Sequence, residues 1–324
     1  MKHKQSPFRN RRPLVLGASG FIGHWVARAL RSQGAHVMCA VRTAEAAECL
    51  ARDAIGTVIV RRDLGDLDAL SEWLPALRPT IVFNLAGYGV DRGERDATTA
   101  DLINHRFVEA LARVVASVPH DNWAGVRLVH VGSALEYGTT GGLLTESSPC
   151  APTTLYGQTK LAGTVALQRV CRESALEACV ARLFTVYGPG EHPGRLLPTL
   201  MAAAGGTARV TLSAGTQSRD FTYVEDVAEG LLRLAVSDVP PGGIVNVATG
   251  ALHPVRTFVE SASDVLGIAR DRLAFGAVPT MAEEMVHTGV AVDVLRTLTG
   301  WTPDDDIASG VARTMARTSE ESRR

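Results

Sequence analysis

Short apolar runs alternate with stretches of helical period through the first half of the chain. A helical pattern follows the first run, because Ile22, Val26, Ala29 and Leu30 fall on one face. Strands separated by helices imply right-handed crossovers and a parallel sheet covered on both faces. The sequence therefore predicts an α/β fold with a Rossmann-type doubly wound parallel sheet. Six strands are predicted, at residues 14–16, 36–41, 57–60, 80–85, 126–131 and 178–184.

The pattern changes after about residue 188, where Pro and Gly become frequent and the predicted strands shorten. We expect this part to form a smaller C-terminal α/β lobe packed on the first. The basic residues near the N-terminus predict a flexible leader. The expected organisation is a leader at 1–12, a parallel-sheet domain at 13–187, mainly the smaller lobe at 188–318 and a polar tail at 319–324.

The 324 residues carry a formal net charge of −1. This balance argues against a nucleic-acid-binding protein, since phosphate recognition draws on clustered Lys and Arg. No apolar run approaches the ~20 residues needed to span a bilayer, so we expect no membrane segment. The five cysteines are scattered and form no metal-binding spacing. They predict reduced thiols in a cytoplasmic protein without a metal site.

A glycine-rich loop lies between the first predicted strand and the helix that follows it. Glycine permits the positive φ of a tight turn and lets a pyrophosphate approach bare backbone. The helix N-terminus then offers free N–H groups to the phosphates. The loop predicts an NAD(P) site, and the alternative is an ordinary strand-to-helix turn. Its sequence is Gly17-Ala18-Ser19-Gly20-Phe21-Ile22-Gly23.

The end of the second strand reports on the 2′ position of the adenosine ribose, where NAD-binding proteins usually carry an acidic residue. This chain has Arg42 there, and a guanidinium is a good match for a 2′-phosphate. The sequence therefore favours NADP over NAD, unless Arg42 is only a solvated turn residue. Asp63 and Leu64 follow the third strand, where they either reach the adenine or Asp63 caps the helix that begins near Asp66.

Tyr156 and Lys160 lie four residues apart on a predicted helix, hence on one face. A phenol has a pKa of about 10, but a nearby ammonium and a nicotinamide cation both favour the phenolate and lower that pKa. Such a Tyr can exchange a proton with a sugar hydroxyl or carbonyl while hydride moves to or from the cofactor. Ser133 ends the fifth strand, where its hydroxyl either bonds the reacting oxygen or merely caps a turn.

The motifs along this chain, taken in their order, resemble those of the extended short-chain dehydrogenases/reductases of the nucleotide-sugar epimerase/dehydratase group. The resemblance runs from about residue 13 to residue 247. It is carried by GASGFIG, Asp63-Leu64, residues 84–87, Asn104, GSALEYG, YGQTK, residues 182–190 and residues 219–227.

The resemblance implies that Ser133, Tyr156 and Lys160 form the catalytic triad. It implies that Arg219 contacts the nucleotide diphosphate of the substrate, unless Arg219 pairs with Asp220 or Asp226. It also implies a homodimer formed through the helices that hold Phe107 and Tyr156. The resemblance also implies that Leu85-Ala86-Gly87 lies at the cofactor, with Ala86 and Gly87 along its diphosphate.

Two departures from the group narrow the choice of reaction. In the pattern of the group's dehydratases, Asp-Glu directly follows the catalytic hydroxyl. This chain has Ala134 and Leu135 at those positions, and neither side chain can transfer a proton. Thr185 replaces an Asn that helps to hold the substrate diphosphate. Arg195 is either a phosphate contact or a solvated side chain. The residues expected on the substrate side are Tyr88, Ser133, Ala134, Thr185, Arg195 and Arg219.

Arg42 in place of an acid favours an enzyme that exchanges NADPH at each turnover. The leading hypothesis is a nucleotide-sugar 4-ketoreductase that acts on a 4-keto-6-deoxy or dideoxy hexose. The alternative is a nucleotide-sugar 4-epimerase with retained NAD. A more remote alternative is a non-catalytic dinucleotide-binding regulator on the same fold.

Overall fold

The computed structural model describes residues 6–53, 55–56, 58–90, 93–119, 122–280 and 285–321. Residues 1–5 of the expected leader, Thr57 of the predicted third strand and residues 322–324 of the expected tail lie outside these ranges. The helices are α1 (Phe21–Ser32), α2 (Ala44–Arg52), α3 (Leu67–Leu77), α4 (Ala97–Asp101), α5 (Phe107–Ser117), α6 (Leu155–Ser174), α7 (Leu196–Ala204), α8 (Val224–Ala235), α9 (Val255–Leu266), α10 (Asp293–Thr299) and α11 (Ile307–Glu321).

The strands are short, and most are buried. They are β1 (Pro13–Leu16), β2 (Met38–Val41), β3 (Val58–Arg61), β4 (Ile81–Asn84), β5 (Leu128–Ser133), β6 (Leu143–Leu144), β7 (Ala178–Leu183), β8 (Thr185–Tyr187), β9 (Val210–Leu212), β10 (Ser218–Arg219), β11 (Phe221–Tyr223), β12 (Gly243–Val247), β13 (His253–Pro254), β14 (Leu273–Phe275) and β15 (Gly289–Val290). A π-helical turn, Leu102–Arg106, joins α4 to α5, and 3₁₀ turns cover Ala134–Glu136 and Arg270–Arg272.

Seven parallel strands form the central sheet in the order β12-β7-β5-β4-β1-β2-β3. Strand β1 pairs on one side with β2 and on the other with β4, so the chain changes direction across the sheet at this point. Ligands of such sheets bind in the crevice outside the carboxyl ends of the strands at this switch point. The Rossmann-type α/β fold predicted from the sequence is confirmed.

Apolar side chains of the strands alternate between two cores, one on each face of the sheet. Val15 points into a core built with α1 and α8, to which Trp25 and Leu231 contribute. Its neighbours Leu14 and Leu16 point into the opposite core, which is built with α3, α5 and α6. Because both faces are covered, these strands show continuous apolar runs in the sequence.

The seventh strand comes from the part of the chain that the sequence assigns mainly to the second lobe. Strand β12 pairs with β7 in parallel, and α8 packs on α1 next to it. The chain therefore leaves the Rossmann domain after β7, returns to add α8 and β12, and leaves again. The expected boundary at residue 187 separates these two elements from the sheet and helix on which they pack.

The second lobe has its own core beyond the carboxyl edge of the sheet. Phe258 of α9 stacks on Phe221 at 4.3 Å between ring centroids and meets Tyr187 edge-on at 5.1 Å. Short parallel pairs, β8 with β11 and β9 with β14, hold the helices of this lobe. The Trp25 indole of α1 donates to the Pro189 carbonyl at 2.9 Å and ties the lobe to the domain.

Residues 6–12 pack against the Rossmann domain, in contrast to the flexible leader expected from their basic composition. Phe8 is 2% exposed and lies against Trp123 and Phe83. Arg12 accepts at its carbonyl from Thr80 N and donates through its guanidinium to the Leu77 carbonyl. Burial of the Phe8 ring holds the segment on the domain despite its positive charge. A count of basic residues does not reveal this contact. No helix within the described ranges is long and apolar enough to cross a bilayer.

Candidate active site

The glycine loop lies against the end of β4. Gly17 has φ +80°, and a Cβ there would come within 3.0 Å of the Leu85 carbonyl carbon and the Ala86 amide nitrogen. A Cβ on Gly23 would overlap the Gly17 carbonyl oxygen. These positions therefore need glycine for steric reasons, because the loop, α1 and the residues after β4 touch through bare backbone.

The N-terminus of α1 fits the phosphates of a dinucleotide. Gly20 precedes the helix without a side-chain cap, and the first turn holds no acidic residue. Ser19 and Gly20 are exposed, whereas the side chains of Phe21 and Ile22 are half-buried and pack on the core. The free N–H groups and the positive end of the helix dipole therefore face the crevice at the switch point.

The adenosine end is expected at the carboxyl ends of β2 and β3. Arg42 directly follows β2 and is exposed. The Asp63 carboxylate accepts from Gly65 N at 2.9 Å, and Asp66, not Asp63, caps α3. The capping alternative for Asp63 is therefore excluded, and the half-buried Leu64 beside it leaves the adenine position as the remaining expectation.

The segment after β4 is held by Asn104, which lies in the π-helical turn. The Asn104 side chain accepts from Tyr88 N at 3.0 Å and donates to the Tyr88 carbonyl at 2.7 Å and to Thr159 Oγ1 at 2.9 Å. Gly87 lies next to the same side chain, and a Cβ there would be 3.6 Å from Asn104 Oδ1. A π-turn often marks a functional position, and this one fixes the loop after β4 to the helix of Tyr156 and Lys160.

The structure brings Ser133, Tyr156 and Lys160 together at the carboxyl end of β5. The Ser133 side chain lies close enough to the Tyr156 phenol to lower its pKa. Ser133 Oγ also accepts from Leu135 N at 3.2 Å, so the same hydroxyl caps a 3₁₀ turn. The Lys160 ammonium donates to the Val131 carbonyl at 2.6 Å. The turn-capping role considered for Ser133 therefore occurs, and its expected bond to the reacting oxygen stays a prediction.

Burial is the main influence on the pKa of Tyr156. Burial and the charges of Glu136 and Glu94 raise the pKa of the phenol, whereas Ser133 and Arg195 lower it. The expectation that the ammonium and a bound nicotinamide cation lower this pKa stays a prediction. Burial lowers the pKa of Lys160 to about 8, and Glu136 opposes that change. Burial dominates because both groups lie in a poorly hydrated crevice.

A loop from Tyr88 to Asp96 lies over the phenol. Gly89 has φ +104°, and a Cβ there would be 3.3 Å from the Tyr156 ring. Its amide donates to Glu94 Oε2 at 2.7 Å, which places the carboxylate near the phenol. Asp96 N donates to the Tyr88 hydroxyl at 3.4 Å. Residues 91–92 of this loop lie outside the described ranges.

The positions that carry Asp-Glu in dehydratases hold no acid in this chain. Ala134 is buried with Tyr137 and Leu144, and Phe184 packs against this small apolar cluster. Leu135 is half-buried. An apolar surface after Ser133 offers no proton to a departing hydroxyl, in agreement with the sequence.

The second lobe brings Thr185, Arg195 and Arg219 toward the same edge. Arg195 opens α7, and its charge acts on the Tyr156 phenol, which places it on the active-site side. It also pairs with Glu191 at 3.6 Å. Arg195 is therefore a charged neighbour of the phenol, and its expected phosphate contact stays a prediction. Thr185 begins β8, where its amide donates to the Asp220 carbonyl at 3.0 Å.

The two acids considered as partners of Arg219 are engaged elsewhere. The Asp220 carboxylate accepts from Thr249 N at 3.0 Å and from Gly250 N at 2.8 Å. Asp226 faces Arg313 at 3.5 Å. Burial and the Arg219 charge lower the pKa of the half-buried His287, so Arg219 lies near that side chain. The expected contact of Arg219 with the substrate diphosphate stays a prediction.

Sequence reasoning missed four buried or half-buried polar residues of this region. His130 is fully buried between Asn84, at 3.1 Å, and Lys160, and its pKa lies well below the ordinary value because of burial and that ammonium. The sequence signal that could have revealed such a residue is a single polar position inside an otherwise apolar strand. The other residues are Glu136, Arg182 and His287. Within the described ranges, no group of three or more His, Cys, Asp or Glu residues is arranged to hold a metal ion.

This arrangement defines a class of enzymes that bind a dinucleotide on a Rossmann sheet beside a Ser-Tyr-Lys triad. A family model described as "NAD dependent epimerase/dehydratase family" matches residues 13–248. The chain belongs to this family. The matched segment ends just after β12, so it contains all seven strands of the central sheet.

Curated relatives and solved structures resemble nearly the whole chain. The chain is 33% identical over 304 residues to a dTDP-6-deoxy-L-talose 4-dehydrogenase (NAD(P)(+)) of Kitasatospora kifunensis, and the match covers 90% of this chain and 91% of that protein. It is 26% identical to a probable UDP-glucuronate 4-epimerase of Rhizobium meliloti (strain 1021), with coverage of 93% and 95%. A crystal structure of UDP-glucuronic acid 4-epimerase from Bacillus cereus with UDP-glucuronic acid and NAD superposes with a TM-score of 0.81 at 22% identity, covering 96% and 99% of the two chains.

The contact between Gly23 and Gly17 makes a steric prediction. Gly23→Ala forces the glycine loop away from α1, and overpacking of this kind costs about 1–3 kcal/mol. We expect the affinity for NAD(P)H to fall at least roughly tenfold, measured by titration of its fluorescence. Gly205→Ala is the control, because a Cβ at Gly205 has no neighbour within 4 Å. Equal affinities of the two variants would contradict the steric role of Gly23.

Proposed function

We propose that this protein reduces the 4-keto group of a nucleotide-activated 6-deoxyhexose. The observation that carries the proposal is the placement of Ser133, Tyr156 and Lys160 at the end of β5, with Ala134 and Leu135 where dehydratases carry acids. The name of the Kitasatospora relative adds support, because oxidation of a 6-deoxysugar at C4 is the reverse of this reduction.

Each residue of the triad has a separate task in this reaction. The cofactor, when bound, supplies a hydride to C4. The Ser133 hydroxyl orients the C4 carbonyl, and the Tyr156 phenol donates a proton to its oxygen. A raised pKa suits a proton donor, since the phenol must carry its proton when the ketone arrives. Lys160, anchored on the Val131 carbonyl, holds the nicotinamide ribose with its remaining N–H groups.

NADPH is the proposed reductant. Arg42 is exposed at the carboxyl end of β2, where its guanidinium can pair with the 2′-phosphate without an acidic neighbour at that position. Either cofactor is compatible with the "(NAD(P)(+))" in the name of the Kitasatospora relative. NAD is bound in the Bacillus cereus structure, which keeps NAD as the second candidate.

A 4-epimerase with retained NAD is the second candidate function. It is favoured by the printed names of the Rhizobium and Bacillus relatives, and both reactions begin at C4. An epimerase keeps its dinucleotide through many turnovers, whereas a reductase exchanges it. Mass spectrometry of the purified protein separates the two, because stoichiometric bound NAD would favour the epimerase.

We propose a homodimer formed through the helices α5 and α6. Val165 is 52% exposed and Leu155 is 36% exposed on α6, large apolar side chains that are costly to leave in water. Val165 lies in a shallow groove with Leu161 and His105. A second copy of this face would cover them.

The five free cysteines are compatible with a reducing compartment, and we propose the cytoplasm.

Removal of the phenolic hydroxyl tests the proposed reaction. With a nucleotide 4-keto-6-deoxyhexose, the wild-type protein should consume NADPH, seen as loss of absorbance at the nicotinamide band. Tyr156→Phe should lower kcat by about 10²–10⁴-fold, because it removes the proton donor. The affinity for NADPH should change little, which is the control. No loss of NADPH absorbance with the wild-type protein would refute the reductase.

Reversal of the charge at position 42 tests the cofactor preference. In Arg42→Asp, the loss of a charge-assisted hydrogen bond worth about 1.5–3 kcal/mol should raise the Kd for NADPH at least roughly tenfold. The Kd for NADH should rise much less or fall. Arg52→Asp makes the same change in net charge at the exposed end of α2 and is the control. An equal response of the two cofactors would disprove the assignment.

A charge in the exposed α6 face tests the dimer. The wild-type chain should sediment as a dimer, and Val165→Asp should yield monomers, because a carboxylate in an apolar contact is left without a partner. Val294→Asp, at an equally apolar position that is 37% exposed on α10, should stay dimeric. A monomeric wild-type protein at micromolar concentration would rule out the interface.

A further inference from the structure

Glu136 is a buried carboxylate directly beneath the proposed catalytic triad. Its side chain is 0% exposed. One oxygen accepts from Ser133 N at 2.8 Å. The other accepts from Thr164 Oγ1 at 2.9 Å and from Arg182 Nε at 3.0 Å. A buried charge is costly unless it is paired and hydrogen-bonded, and Glu136 meets both conditions.

The surroundings of the carboxylate are shaped to receive it. A Cβ on Gly132 would lie 2.6 Å from Glu136 Oε1, so the strand omits a side chain where the carboxylate enters. The partner guanidinium of Arg182 lies 4.4 Å from the centre of the Tyr137 ring and donates to Cys150 Sγ at 3.2 Å. The Tyr137 hydroxyl in turn donates to Asn246 at 2.7 Å. The pair thus has a fixed place in the core.

The three bonds of Glu136 join the elements that carry the catalytic groups. Ser133 ends β5, Arg182 lies on β7, and Thr164 lies on α6 one turn after Lys160. Residues four apart share a helix face, so the bond to Thr164 fixes the face that presents Lys160 and Tyr156. A change at Glu136 therefore acts on the serine and on the catalytic helix together.

We propose that Glu136 is a positioning residue of this enzyme, which holds Ser133 and α6 in register. In that position its buried charge also acts on Tyr156 and Lys160. The proposal rests on the reductase function only for its kinetic consequence. The contacts that carry it do not depend on the substrate.

The electrostatic part follows from which charges face the two groups. Burial and the Glu136 charge both raise the pKa of Tyr156, with Glu94 acting in the same direction and Arg195 against it. For Lys160, burial lowers the pKa to about 8, and Glu136 is the charge that resists. His130 also faces Lys160, but its own lowered pKa leaves it neutral. Glu136 thus acts on both partners, whereas Glu94 and Arg195 act on the phenol.

The lysine content of the chain allows a direct measurement. The chain contains three lysines, Lys2, Lys4 and Lys160. Lysine labelled with ¹³C at Cε therefore gives three NMR signals, and the double variant Lys2→Arg/Lys4→Arg leaves the one from Lys160. Its chemical shift, followed from pH 6 to pH 10, reports the pKa of Lys160 without substrate or cofactor.

We expect Glu136→Gln to lower the Lys160 pKa by about one pH unit, the effect of removing one nearby opposite charge. Thr164→Val removes a hydrogen bond to the same carboxylate but keeps its charge, so the Lys160 pKa should stay at its wild-type value. An unchanged pKa in Glu136→Gln, or an equal fall in Thr164→Val, overturns the electrostatic assignment. If Glu136→Gln does not fold, Glu136→Met/Arg182→Met leaves no unpaired charge and should lower the pKa by a smaller amount, because the opposing Arg182 charge is removed as well.

The kinetic consequence is measured separately. In the direction of reduction, Glu136→Gln should lower kcat at least tenfold with little change in KM. The reason is that the variant disturbs the triad and leaves the substrate contacts in place. Removal of the negative charge lowers the Lys160 pKa, which is about 8 in the wild-type protein, so the alkaline limb at which kcat falls should move to lower pH. Glu136→Asp keeps the charge but shortens the reach, so kcat should fall without a shift of that limb. A fall in kcat for Glu136→Gln with an unmoved limb would mean a structural role only.

The two measurements separate this inference from the proposed function. A shifted Lys160 signal together with a wild-type protein that does not oxidise NADPH would refute the reductase and leave the role of Glu136 intact. An unshifted signal together with active wild-type protein would refute the role of Glu136 and leave the reductase intact.

Discussion

The parallel pairing of seven strands is the constraint from which the rest of the structure follows. All carboxyl ends of these strands point to one edge, so the segments that follow β1, β2, β4, β5 and β7 meet there although they are distant in sequence. The close approach of Gly17 to Leu85 and Ala86 is the tightest expression of this geometry. It leaves bare backbone and an uncapped helix end at the place where a pyrophosphate binds.

Burial governs the chemistry at that edge more than the spacing of charges does. The i,i+4 pair of Tyr156 and Lys160 suggests a phenol activated by an ammonium, but the Lys160 ammonium donates to the Val131 carbonyl and the crevice disfavours both charged forms. A protonated phenol suits the donation of a proton to a carbonyl. Glu136 and Arg182 lie beneath the triad, so a buried ion pair sets both its geometry and its protonation.

Family membership and site geometry limit the reaction from two directions. The family covers epimerases and dehydratases, and this chain has Ala134 and Leu135 at the positions where an acidic pair is expected in dehydratases. The proposed reduction and the alternative epimerisation share their chemistry at C4. What separates them is whether the dinucleotide leaves after each turnover, and Arg42, exposed at the end of β2, is the residue of this chain that bears on that question.

The sequence by itself determined the six strands of the first half and the family, and it proposed the glycine loop and the triad, because apolar periodicity and short motifs are local properties of the chain. It left out β12, since a strand that joins its sheet from the second half carries no local sign of its partner. It treated residues 6–12 as a leader, because one buried Phe8 outweighs several charges only once Trp123 is beside it. The direction of the Tyr156 pKa and the bonds of Glu136 were decided by tertiary structure alone, because desolvation and the pairing of buried charges depend on neighbours that folding brings together.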